Sequence, residues 1–243
     1  MKMLTFARRC AKELLRDPLN LIFGLGFPGV LLLLLSAIQA NVPVPLFEIQ
    51  HLSPGIGVFG LSFMTLFSAT LIAKDRESAF LQRLYTLPLR PSDFILGYLL
   101  PTIPITLAQG AVCYLLAVAL GLPITIHILY ALFMLIPISV FYISLGLLCG
   151  SSLNVKQVGG ICGALLTNLS AWLSGVWFDL ELTGEIFSKI AKLLPFYHAV
   201  ELERSILAGQ FSDVLPHLLI VIGYAVIVTA AAILVFLRKM KQQ

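Results

Sequence analysis

The sequence predicts an all-α integral membrane protein with six transmembrane helices, and three observations carry that reading. Hydrophobic residues make up 59% of the 243 and charged residues only 12%, against about 25% charged in a soluble domain. Mean hydropathy is +0.97. Apolar runs recur at the roughly 20-residue length that a helix needs to cross the hydrocarbon core, over 19–40, 54–73, 94–120, 124–150, 157–178 and 214–237. No alternating ten-residue pattern suggests a barrel, so backbone groups in lipid must be satisfied within helices. Residues 1–243 therefore read as one transmembrane domain.

Ahead of the first span, residues 1–17 repeat Phe6, Cys10 and Leu14 every four positions, with Leu4, Ala7 and Ala11 beside them. Arg8, Arg9, Lys12 and Arg16 fall largely on other faces. This is the pattern of a basic amphipathic helix lying in a membrane interface. A cleaved signal peptide competes with it, but "SAIQA" (36–40) is only a partial cleavage signature, and residues 1–17 are too long and patterned for a leader's basic region.

Lys and Arg set the orientation. With six spans both termini share one side, and there fall Lys2, Arg8, Arg9, Lys12, Arg16, Lys74, Arg76, Arg83, Arg90, Lys156, Arg238, Lys239 and Lys241, 13 of the 16 basic residues. Only Lys189, Lys192 and Arg204 fall opposite. Both termini are expected in the cytoplasm, in a multi-pass protein of the cell membrane. The formal charge of +4 is thus topology, not a nucleic-acid patch.

The longest break between spans, 74–93, is on the cytoplasmic side. Phe80, Leu81, Leu84 and Leu87 share one helical face, and Arg76 and Arg83 share another. Asp75 and Glu77 are expected in the first turn, at the positive end of the dipole. Pro88 and Pro91 stop the helix, and Ser92 or Asp93 caps the next. The segment predicts a short amphipathic helix with a rigid exit.

What the expected spans lack is equally informative. None contains Asp, Glu, Lys or Arg, although a charge kept at membrane depth usually marks an ion path or proton relay. His51, His127, His198 and His217 all fall near the outer face. No His-Glu-x-x-His or carboxylate pair offers a hydrolytic centre, and no Gly-Lys dipeptide offers a P-loop. The cysteines, Cys10, Cys113, Cys149 and Cys162, are scattered in apolar stretches and read as packing residues, without a metal site. The chain is expected to be no enzyme, and any uphill transport must draw its energy from another polypeptide.

On the outer side, 180–209 holds two short amphipathic helices split at Pro195, a hairpin that does not span. The second span aligns Phe59, Phe63 and Phe67. The fifth pairs Gly159 with Gly163 and Ser170 with Ser174, the small-residue spacing of close helix packing, and holds Asn168 at mid-depth.

In "RESAFLQRLYTLPLRPSDFILG", Glu77, Leu84, Pro88, Arg90, Asp93 and Gly97 stand in the order of a charged coupling helix, with Ala79 where a Gly is common. With "LLPFYHAVELERSILAG" (193–209) and the N-terminal helix, the chain resembles, over essentially its whole length, the permease subunits of ABC-2 type ATP-binding cassette exporters. The resemblance implies a coupling helix over 74–90 that docks a separate cytoplasmic ATPase through Arg76, Glu77, Phe80, Leu81, Arg83, Leu84 and Arg90. It implies a re-entrant outer hairpin whose Glu201, Glu203 and Arg204 gate the exit. It also implies a second permease, identical or related, and a path at the dimer interface near Phe63, Phe67, Asn168 and Trp172. ATP and Mg would be bound by the ATPase and no cofactor by this chain. A path without fixed charge suits an amphiphile exported from the cell, such as a drug, antibiotic, lipid-linked molecule or hydrophobic peptide. An ATP-independent secondary carrier and a non-transport membrane scaffold remain as alternatives.

Overall fold

A computed structural model describes residues 2–42, 47–78 and 91–241. Every regular element among them is helical. Helix α1 is Lys2–Arg16. A short helix, Pro18–Leu21, and a π-helical turn, Ile22–Gly26, lead into α2, Phe27–Gln39. Then follow α3 (Ile49–Gly60), α4 (Ser62–Glu77), α5 (Pro91–Leu99), α6 (Thr102–Ala119) and α7 (Ile126–Ser152). Val155–Val158 and the π-helical Gly159–Leu166 run into α8, Thr167–Ser174. Two short helices, α9 (Glu185–Leu193) and α10 (Pro195–Leu207), precede α11 (Phe211–Lys241).

Five stretches are long and apolar enough to cross a membrane: Ile22–Gln39, Ile49–Glu77, Asp93–Ala119, Ile126–Ser152 and Phe211–Lys239. The expected span 157–178 is not among them. Gln157, Asn168 and its small residues dilute the hydropathy, a π-helical segment interrupts it, and Gly175 stops it in the left-handed conformation (φ +71°).

The second expected span, 54–73, is the middle of a longer rod. Helices α3 and α4 meet at Leu61, and α4 runs on through Lys74, Asp75, Arg76 and Glu77. A separate coupling helix therefore does not begin at 74. Nothing in "IAKDRE" breaks a helix, and Lys74 and Arg76 suit its negative C-terminal end. Asp75 and Glu77 stand in the last turn rather than a first one, so each needs its own compensation.

Helix α7 is the hub, packed against α4, α6, α10 and α11. It approaches α4 closely. A Cβ on Gly146 would strike Ser68 Oγ and the Thr65 carbonyl, and one on Gly150 would lie 2.6 Å from the Ala69 carbonyl oxygen. Bare glycines at this spacing let the two backbones touch. Polar side chains knit the same region: Thr65 Oγ1 donates to the Tyr142 carbonyl (2.8 Å), and the Tyr142 and Ser170 hydroxyls share a 2.8 Å bond.

The apolar stripe of α1 is buried as its spacing requires, with Cys10 fully enclosed and Phe6 and Leu14 nearly so. It packs on α5, where the Phe6 ring stands edge-on to Phe94 and Tyr98 (centroids 5.8 and 5.0 Å). Gly97 makes room, since a Cβ there would collide with that ring. Helices α2 and α11 keep broad apolar faces exposed, among them Val30, Leu33, Leu34, Leu219, Val226 and Ile227, as lipid or a partner helix requires.

Candidate functional site

The last turn of α4 gathers the charge that the bundle keeps at its α1 end. Asp75 is almost fully buried. Arg9 grips it through two guanidinium bonds of 2.5 and 2.6 Å, and Tyr98 donates its hydroxyl at 2.8 Å. A buried carboxylate is tolerable only when so paired and hydrogen-bonded. Asp75 holds the Arg9 guanidinium above its usual pKa despite partial burial. Burial pushes the neighbouring Cys10 thiol up to about 12, which leaves it a packing residue.

Arg76 and Glu77 face the other way. Arg76 donates to the Ser151 carbonyl and, at 2.6 Å, to that of Leu153, covering orphan carbonyls at the end of α7. Glu77 Oε1 accepts the Val155 N–H at 2.8 Å, at the start of the next helix. Lys74 lies 3.6 Å from Asp17. The turn thus binds α1, α5, the end of α7 and the start of 155–174. Of the expected coupling residues, Arg76 and Glu77 are in this turn. Phe80, Leu81, Arg83, Leu84 and Arg90 lie in 79–90, outside the described residues.

At the opposite end, Arg204 donates to Glu201 (2.9 Å) and to the carbonyls of Gly175 (3.0 Å) and His51 (3.3 Å). It holds α10 to the end of α8 and the start of α3, beside an open pocket of about 490 Å³ that Glu48, Asp179, Glu181 and Tyr197 also line. Glu203 departs from the expected gate. Two positions from Glu201 is the opposite side of a helix, and Glu203 is fully buried there, accepting the Tyr114 hydroxyl at 2.5 Å. Its second oxygen has no hydrogen-bond partner among the described residues. Burial lifts this carboxyl to about 8, with the Tyr114 bond opposing. His198 and His217 meet through their Nδ1 atoms at 2.7 Å, while His198 Nε2 sits 2.9 Å from the Lys192 carbonyl.

The four expected path residues separate into two pairs. Phe63 and Phe67 are buried, Phe63 in edge-on contact with Phe27 (5.6 Å) and Phe59 (5.9 Å). Asn168 and Trp172 are exposed, and the Asn168 amide donates back to the Ala164 carbonyl at 2.8 Å. The expected packing glycines, Gly159 and Gly163, differ in their surroundings within the chain. A Cβ on Gly159 would meet nothing within 4 Å, while one on Gly163 would meet Leu66 at 3.4 Å. Ser170 and Ser174 are buried in the α-helical part.

Sequence reasoning missed the Arg9–Asp75–Tyr98 knot and the Tyr114–Glu203 bond, whose partners are far apart in the chain and share no periodicity. It also passed over Gly146 and Gly150, although their spacing was a usable signal. Among the described residues no group of three or more His, Cys, Asp or Glu could hold a metal ion. Compared with known proteins, the chain is matched over residues 1–208 by a family model described as ABC-2 type transporter. No curated protein matches it significantly.

Proposed function

The chain belongs to the ABC-2 type transporter family, and from that premise we propose that it is the transmembrane subunit of an exporter moving an amphiphile outward across the cell membrane. The family match carries this reading. ABC-2 permeases work with ATP-binding cassette subunits, and their membrane domain lacks the ATPase. A separate cytoplasmic ATPase therefore supplies the work, and both termini face it. The sixth crossing is 155–174, whose 20 residues span about 30 Å as a helix.

The coupling segment, 78–90, acts on the last turn of α4. Because Asp75, Arg76 and Glu77 join that turn to four other segments, a push on it moves the inner end as a body. Two permeases enclose the path. The exposed Asn168 and Trp172 suit a cavity or a partner surface, whereas Phe63 and Phe67 reach substrate only in a conformer where α2 has moved off them. Glu201 and Arg204 rim the outer exit, a role for which fully buried Glu203 is unsuited.

The test is reconstitution with the partner ATPase and measurement of permease-stimulated ATP turnover. Reversing charge at Glu77 and Arg83 is expected to abolish stimulation or assembly. If both survive, the segment is not the coupling element. Substrate movement that persists with an inactivated ATPase would instead indicate a secondary carrier.

A further inference from the structure

The charged face of α1 is only half used by the fold. Arg9 is committed to Asp75 and Glu13, but Arg8, Lys12 and Arg16 stand four residues apart in one exposed row. With Thr5, Arg9 and Glu13 they line an open trough of about 690 Å³, and the acid in that trough, Glu13, is paired to Arg9 at 2.5 Å. The row lies opposite the stripe that α1 buries on α5. On one flank only, Leu4 and Leu15 are 62% and 58% exposed. They are eleven residues apart, three helical turns, and so share a line. The other flank carries Arg9 and Glu13. The helix therefore has an exposed apolar edge, bordered by three cations that pair with no acid among the described residues.

We propose that this edge binds anionic phospholipid, the phosphate headgroup held by Arg8, Lys12 and Arg16 and the upper acyl chain laid against Leu4 and Leu15. Exposed leucines on a helix docked against a membrane protein belong at the boundary of headgroup and acyl chain, and the cation row then sits at phosphate level. Guanidinium pairs phosphate oxygens bidentately, which a zwitterionic headgroup answers less well because its own ammonium competes. Since α1 joins α4 through Arg9 and Asp75, lipid held here also fixes the inner end of that rod. The site rests on the functional reading only for the leaflet that supplies the lipid; binding itself requires no ATPase.

The experiment uses the full chain, purified in neutral detergent and equilibrated with mixed micelles of phosphatidylglycerol or phosphatidylcholine, with retained phospholipid counted by native mass spectrometry. The wild-type chain is expected to retain phosphatidylglycerol preferentially, with a preference that falls as salt is raised. One cation near an anionic surface is worth roughly fivefold, so the variant R8Q/K12Q/R16Q should lose on the order of a hundredfold. Should that variant fail to fold, R8Q and R16Q singly should each lose roughly fivefold, and L4S/L15S should weaken retention of both lipids. Equal retention of the two lipids by the wild-type chain overturns the proposal. So does a triple variant that keeps the preference, or displacement of the lipid by equimolar inorganic phosphate, which would make the row a simple anion site. A triple variant that retains lipid normally but no longer binds its ATPase assigns the face to that subunit and overturns the lipid reading.

Discussion

Glu203 presents the sharpest conflict between a side chain and its surroundings. Among the described residues its one hydrogen-bond partner is the Tyr114 hydroxyl, and the adjacent Arg204 is occupied by Glu201 and two carbonyls. An ionised carboxylate with a bare oxygen in that interior would cost several kcal/mol, so the fold holds the acid form and its pKa rises from 4.5 to about 8. A group whose folded pKa is raised contributes stability that is complete below its unfolded value and is lost as pH rises through the folded one. The chain should therefore weaken between pH 4.5 and about 8. Glu203→Gln keeps the shape and removes the titration. In thermal unfolding of the purified chain across that range, the midpoint should fall less steeply with rising pH in the variant than in the wild type. Identical slopes for the two proteins would mean that Glu203 is already solvated.

At the scale of elements, two contacts decide how helices can move. Gly146 and Gly150 put α7 backbone against α4 backbone, and backbone cannot swing aside as a side chain can. Gly150→Leu should destabilise the bundle by about 3 kcal/mol or more, beyond ordinary overpacking of about 1–3 kcal/mol. The readout is the unfolding midpoint in detergent, and a loss no larger than that of Gly159→Leu, where space is open, would contradict the close approach. The second contact joins α10 to α11 through His198 and His217, whose shared bond needs one bare nitrogen. Burial, then the neighbouring His217, lowers the His198 pKa below 6.5, while the Lys192 carbonyl and Glu201 oppose; Asp213 stands one turn before His217, and Tyr197 lies against both rings. A depressed pKa leaves stability complete above the unfolded value and withdraws it as pH falls through the folded one. Hydrogen-exchange protection at 193–198, taken relative to the intrinsic amide rate at each pH, should therefore fall below about pH 6.5, and His217→Phe should remove that dependence. An unchanged pH profile in the variant would show that the pair is not the latch.

For the whole molecule, what was legible in the sequence is what periodicity encodes. The stripe of Phe6, Cys10 and Leu14 announced a helix with a buried face, and five of the six apolar runs announced rods of membrane length. The helix bounds at Glu77 and Gly175 were harder, because each depends on partners met only after folding. Asp75 is acceptable in the last turn of α4 only because Arg9 and Tyr98 converge on it from α1 and α5, and no local pattern records that meeting. The same knot yields a test of the molecule as one mechanical body. Asp75→Asn retains an acceptor for Tyr98 but discards the ion pair, and a hydrogen bond to a charged group is worth roughly 1.5–3 kcal/mol. Local opening of 2–16 should become at least about tenfold more frequent, while 155–174, held through Glu77, should exchange as before. Glu77→Gln should reverse the pattern, loosening 155–174 and sparing 2–16. If both variants loosen both segments equally, the last turn of α4 is a single cooperative unit and its two faces cannot carry separate signals. If each loosens only its own segment, and Asp75→Asn also lowers permease-stimulated ATP turnover, the path from ATPase to bundle runs through the α1 side of that turn.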